Sequence, residues 1–328
     1  MVAGLGVAHA DPLPTSAEHV ATPGQAVAST DTADAIVLNP ANLAWLPAGE
    51  LRWTWVNCTD DSLKVGCGHA WEAATPLPFG LATGFRVDLV RPPWGGPDSE
   101  GIGFPYRGND YVWATLAVAG KLGDKAAFGM SLARSYSQNA YVQGLWALTA
   151  GLSWRPYPVF GFSAVASNFN EPSAALLPNI SHPNLPDQPV LDGQYTLAMS
   201  LRPTGRRDID IGLEAKWYQG SNLWVPRGTL GLTIPYVGRA YASVEIGHLT
   251  NDQQRGVLGT AGLEMHFGGL SFGGGALFGN GLGGSAGEYV TAAISGYSQP
   301  GLPFPGHAVW MRLESTPDTR GHVALLRR

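Results

Sequence analysis

The sequence predicts an all-β chain: an antiparallel transmembrane β-barrel of roughly 14 strands with a compact insert at its N-terminal side. Three observations carry this. Apolar and polar residues alternate with a period of two over most of the chain beyond residue 50. Many of the alternating segments run ~9–12 residues, the length a membrane-crossing strand needs, where globular strands average nearer five or six. Charged residues make up only 14% of the 328 residues, against ~25% in soluble domains.

The first residues, Met1 to Asp11, close on the A-x-A pattern Ala8-His9-Ala10, which reads as the remnant of a secretory signal over residues 1–10. Residues 11–50 break the pattern of the rest. Within them Asp31 to Leu46 is rich in small and turn-forming residues around Asn39-Pro40. A short helix is expected after Asp34 and must end before Pro40, because the residue preceding a proline is pushed out of the helical region. A second turn over Ala41 to Leu46 then leads into the first strand.

Strand candidates follow at 51–57, 68–75, 79–90, 111–119, 126–136, 141–154, 158–168, 194–202, 207–218, 223–234, 238–249, 256–267, 269–278, 287–297 and 308–314. The stretch from Arg207 to Tyr218 shows the logic. Ile209, Ile211, Leu213, Ala215 and Trp217 share one face; Asp208, Asp210, Gly212, Glu214 and Lys216 share the other. A soluble sandwich would turn the polar face to water, a membrane barrel would turn it to the lumen, and the pattern alone does not choose. Strand length favours the barrel. The polar faces then nominate Arg52, Arg86, Asp88, Arg202, Asp208, Asp210, Glu214, Lys216, Arg239, Glu245, Glu264 and His266 as lumen-lining. Short turns after 119, 203 and 267 contrast with longer Pro- and Asn-rich connections at 91–110 and 169–193, as in outer-membrane barrels. Trp53, Trp55, Tyr111, Trp113, Tyr141, Trp154, Trp217, Tyr218, Trp224, Tyr236, Tyr289 and Tyr297 fall near strand ends, where interfacial girdles sit. The domain plan is therefore 1–10 leader remnant, 11–50 insert, 51–300 barrel, and 301–328 a last strand and tail.

Cys58 and Cys67 flank a hairpin loop. They form a candidate disulfide, which suits an exported protein, or remain two thiols. With His69 the single nearby imidazole, they do not make a metal site. Gly269-Leu270-Ser271-Phe272-Gly273 matches a nucleophile elbow and Gly279 to Gly284 matches G-x-G-x-x-G, but neither is followed by the helix its chemistry requires. The remaining histidines are scattered, and Asp208, Asp210 and Glu214 read as lumen charges rather than an acid–base pair. No catalysis and no cofactor is expected. A net charge of −5 gives no electrostatic case for nucleic acid.

The pattern D-x-A-x-A-x-x-x-N-P-A-x-L-A, carried by Asp31, Ala33, Ala35, Asn39, Pro40, Ala41, Leu43 and Ala44, resembles the N-terminal hatch of the FadL-type long-chain fatty acid transporters and of related barrels that serve as secretion scaffolds. The match covers about 20 residues; the barrel behind it agrees by pattern rather than motif. The resemblance implies a 14-stranded outer-membrane barrel, closed by a hatch (11–50) shaped by Asp31, Asn39, Pro40, Ala41 and Leu43, that passes hydrophobic small molecules. Membrane lipid and lipopolysaccharide are then partners. The tail from Met311 to Arg328 looks like a junction, and similar barrels precede SppA-like peptidase domains. The alternative implied is a non-transporting barrel that anchors a downstream peptidase or a secretion partner.

Overall fold

The computed structural model describes residues 19–58, 66–91, 111–137, 143–172, 191–205, 208–220, 222–234, 237–249, 255–267, 269–279 and 285–296. The leader remnant expected over 1–10 and the strand and tail expected over 301–328 lie outside the described residues.

Fourteen strands close on themselves: β1 (Glu50–Cys58), β2 (Cys67–Pro76), β3 (Leu81–Arg91), β4 (Tyr111–Leu122), β5 (Ala126–Ser137), β6 (Trp146–Tyr157), β7 (Phe160–Ser167), β8 (Gln194–Leu201), β9 (Ile209–Tyr218), β10 (Leu223–Ile234), β11 (Gly238–Leu249), β12 (Arg255–Phe267), β13 (Leu270–Gly279) and β14 (Ser285–Ser295). Every strand pairs antiparallel with its sequence neighbours. The seam is β1 on β14, with Glu50 opposite Ser295 and Cys58 opposite Gly287. Closure gives every strand two hydrogen-bonding partners, so no edge is left to recruit another chain.

The period of two fixes which way each side chain faces. On β5, Ala127, Gly129, Ser131, Ala133 and Ser135 are buried while Phe128, Met130, Leu132, Arg134 and Tyr136 are exposed. On β9, Asp210, Gly212 and Glu214 are buried while Ile209, Ile211 and Leu213 are exposed. The polar face looks inward and the apolar face outward, the reverse of a soluble β-protein. Exposed Leu, Ile, Val, Phe, Met and Trp side chains recur around the described circumference.

At one end every connection is two to seven residues long, as at 77–80, 123–125 and 158–159, while the other end mixes connections of four or five residues with longer ones. The other end carries the connections 59–66, 92–110 and 168–193 together with the Cys58–Cys67 disulfide, whose Cα atoms are 5.8 Å apart. That bond closes a loop of about ten residues, for which chain entropy predicts ~2–3 kcal/mol. Reducing the protein is expected to lower its unfolding free energy by that amount and its urea midpoint accordingly, measured by tryptophan fluorescence with and without dithiothreitol.

Three expectations are corrected. Phe79 belongs to a 3-10 turn, Pro78–Gly80, and not to a strand: its φ is +63°, and the turn leaves it 98% exposed. The strand expected from 141 begins at Trp146, because Gly144 (φ +73°) and Leu145 hydrogen-bond back to Ser135 and close a turn first. The aromatics do not all form girdles. Trp113, Tyr218 and Tyr289 are buried inward-facing residues, because their parity places them on the lumen side of their strands. Tyr141, Tyr236, Tyr297 and the side chain of Tyr111 lie outside the described residues. Outward aromatics do form two levels. Tyr195, Trp217 and Trp224 are register neighbours near the disulfide end, with centroids 5.4 and 6.2 Å apart. Trp154, Phe162 and Phe160 stack near the short-turn end, at 5.7 and 6.5 Å.

Candidate functional site: the barrel interior

Residues 19–49 lie against the inward face of the strands. Helix α1 spans Ala35–Leu38, and Asn39 leaves the helical region (φ −161°, ψ 97°) before a 3-10 turn over Pro40–Trp45. Pro40 opens that turn, where its missing N–H costs nothing, and the Asn39 side chain accepts from Ala41 N–H at 3.2 Å. Of the residues the sequence singled out here, Asp31, Asn39, Pro40, Ala41 and Leu43 are all buried.

The wall is shaped for this segment. Ile36, Leu43, Trp45 and Leu46 pack with Ala33, Ala35 and Ala41 against Ala74, Ala82, Ala117, Ala119 and Ala127 of the strands. Where the segment comes closest, the wall carries glycine. A Cβ on Gly84 would lie 2.6 Å from Ile36 Cγ1, and one on Gly212 would lie 2.9 Å from Ala26 Cβ. At Gly129 a Cβ would collide with the Pro40 backbone, and at Gly151 with the Asn39 side-chain oxygen Oδ1. Gly129→Leu therefore sets four extra carbons against the segment. Overpacking of this kind costs about 1–3 kcal/mol, so proteinase K cleavage within residues 19–46 is expected to accelerate roughly tenfold while the barrel stays folded.

A buried, mostly irregular backbone has few internal hydrogen bonds and needs partners. The inward charges provide them. Arg202 donates to Ser29 O at 2.8 Å and sits 3.6 Å from Asp31. Glu214 accepts from Val27 N–H at 2.7 Å. Asp88 accepts from Val20 N–H at 3.0 Å and meets His19 Nδ1 at 2.9 Å, while Arg86 donates to Val20 O at 2.6 Å. Arg155 reaches Ala28 O and Thr30 O, both at 3.4 Å, and Asn42 Oδ1 at 3.2 Å. Asn39 Nδ2 donates to Ser163 Oγ at 2.9 Å. Arg52 lies 3.5 Å from Asp34 and 3.7 Å from Glu264.

The same charges also pair along the wall. Arg86 bridges Glu72 and Asp88, Arg202 and Arg239 share Asp210, Arg227 meets Glu214 at 3.4 Å, and Lys216 meets Glu245 at 3.1 Å. Thus Arg52, Arg86, Asp88, Arg202, Asp210, Glu214, Lys216, Arg239, Glu245, Glu264 and His266 lie on or just past inward strand positions. Asp208 stands just before β9, half-buried and two residues from inward Asp210, and its backbone oxygen accepts from Thr233 N–H at 2.8 Å. Glu50, Glu72, Arg155 and Arg227 are inward charges that sequence reasoning missed. The signal existed for Arg155, two residues from inward Ser153. Pro226 and Gly228 blur it around Arg227.

Beside the segment lies a cavity of about 180 Å³. Val27, Val37 and Leu38 give it an apolar floor, and Thr196, Lys216 and Arg227 are among the polar groups of its wall. The sides differ in character: apolar surface on the segment, hydroxyls and paired charges on the strands. Among the described residues no cluster of metal-ligating side chains occurs.

No protein-family model matches the chain, and no curated protein sequence does. Its fold resembles that of a solved β-barrel channel. It is similar to a monoaromatic hydrocarbon channel, CymD, at 12% identity over 89% of this chain and 99% of that one, with a TM-score of 0.50. A triple mutant of the Rhodopseudomonas blastica porin aligns at 9% identity over 75% of this chain and 97% of the porin, with a TM-score of 0.40.

Proposed function

We propose that this chain is an outer-membrane barrel that conducts small hydrophobic, fatty-acid-like compounds, with residues 19–46 acting as a hatch in its lumen. The observation that carries the reading is the amphipathic cavity between that segment and the charged inner wall of a barrel whose outer face is apolar. An apolar outer face with two levels of aromatics suits a bilayer. A dry cavity of ~150 Å³ holds one aromatic ring, so about 180 Å³ suits a ring or a short acyl chain with a polar head directed at Lys216 or Arg227.

The test has two parts. A folded barrel migrates differently in gels before and after boiling and partitions into detergent; a freely soluble monomer overturns the membrane reading. Proteoliposomes then take up a labelled medium-chain fatty acid, and Val37→Asp slows uptake by placing a carboxylate on the cavity floor. Uptake no faster than in protein-free liposomes overturns the transport reading and supports the scaffold alternative instead.

A further inference from the structure

Among the described side chains, Asp, Glu, Lys or Arg occupies an outward strand position at two places, and both lie near the disulfide end. Glu288 on β14 faces its register partner Asn57 on β1, whose Nδ2 donates to Glu288 Oε1 at 3.5 Å. Arg134 on β5 has no carboxylate in ion-pair distance among the described residues. Its guanidinium carbon instead lies 4.8 Å from the ring centroid of Trp146 and 5.5 Å from that of Tyr136. Trp146 is its register partner on β6; on the other side stands Ala114, whose small side chain leaves the approach open.

The height of Arg134 is informative. It stands eight residues along β5 from Ala126. At ~3.4 Å per residue and a tilt of ~40°, that is about 20 Å up the barrel axis, near the edge of an apolar band ~25 Å tall. A cation at that level stands at the headgroup boundary, and among the described residues no carboxylate neutralises it. Aromatic rings engage the guanidinium face and leave its N–H edges free for a forked acceptor, which a phosphate supplies.

We propose that Arg134, clasped by Tyr136 and Trp146, binds the phosphate of an anionic lipid headgroup in the leaflet at the disulfide end. The inference rests on the reading of the chain as a membrane barrel. Orientation follows from it: the end with the long connections faces the leaflet richer in phosphorylated lipid.

The experiment is native mass spectrometry of the full chain, folded in detergent, titrated with diphosphorylated lipid A against dephosphorylated lipid A. Wild type is expected to retain the phosphorylated form, Arg134→Gln to lose affinity roughly tenfold, as for one charge-assisted contact, and Glu288→Gln to bind as wild type does. Trp146→Leu is expected to weaken binding less than Arg134→Gln. Equal affinity of wild type and Arg134→Gln overturns the proposal, as does equal binding of the dephosphorylated lipid. Displacement of lipid A by millimolar inorganic phosphate would assign the site to a free ion and also overturn it. Heat-modifiable migration is read on the same samples. A folded, detergent-bound Arg134→Gln that binds like wild type sinks the lipid site and leaves the barrel intact, whereas loss of heat-modifiability in wild type sinks the barrel reading itself.

Discussion

Deleting residues 19–46 is expected to leave a folded barrel that leaks. The wall closes through its own backbone ladder, β1 on β14, without help from the segment. A 14-stranded barrel is too wide for its inward side chains to fill, and here the inward positions of β3 to β6 facing the segment are small: Ala82, Gly84, Ala117, Ala127, Gly129 and Gly151. Removing the segment therefore opens a continuous aqueous path where Ile36, Leu43 and Trp45 stood. The buried charges survive its loss, since Arg86 keeps Glu72 and Asp88, and Arg202 keeps Asp210. The swelling rate of proteoliposomes in a small sugar is expected to rise by roughly an order of magnitude, as for a water-filled lumen. Heat-modifiable migration should be kept. A folded deletion variant with unchanged permeability would count against the hatch.

Arg86→Ala is expected to be the most destabilising single substitution in the wall. Arg86 is fully buried, bridges Glu72 and Asp88, and also donates to Val20 O. Its removal leaves two carboxylates facing each other with no cation between them. Breaking a buried pair by removing one partner costs about 3–5 kcal/mol, more than the pair contributes relative to an apolar replacement. A urea titration followed by tryptophan fluorescence checks this, with Arg86→Met, Glu72→Gln as the companion. The double variant removes one of the stranded charges along with the cation, and should recover part of the loss. An unchanged midpoint in Arg86→Ala would show that water reaches the cluster freely.

The alternation of Ile209 to Trp217 against Asp210 to Lys216 was enough to name the faces of β9, because a strand has only two faces and a parity error would expose a whole charged row. The same rule marks Arg52, Arg86, Glu245 and Glu264. It failed where regularity fails. Phe79 drops out because Pro78 and Gly80 bend the chain around it. Trp113, Tyr218 and Tyr289 misled because an aromatic near a strand end reads the same whether it faces lipid or lumen; only its parity relative to settled neighbours decides.

The sequence by itself determined the β-rich class, the approximate number and length of the strands, their two faces, and the compactness of the segment around Asn39-Pro40. These are local properties, set by steric preferences and by a period of two. The tertiary structure decided which charges meet and what they hold. Arg202 with Asp31, Glu214 with Val27, and Arg155 with Thr30 join positions more than a hundred residues apart. Such pairings follow from barrel closure and from the path of one irregular segment through it, neither of which leaves a periodic trace in the chain. The glycines opposite that segment belong to the same class: in sequence they are interruptions of a strand, and in the closed barrel they are the space a neighbour occupies.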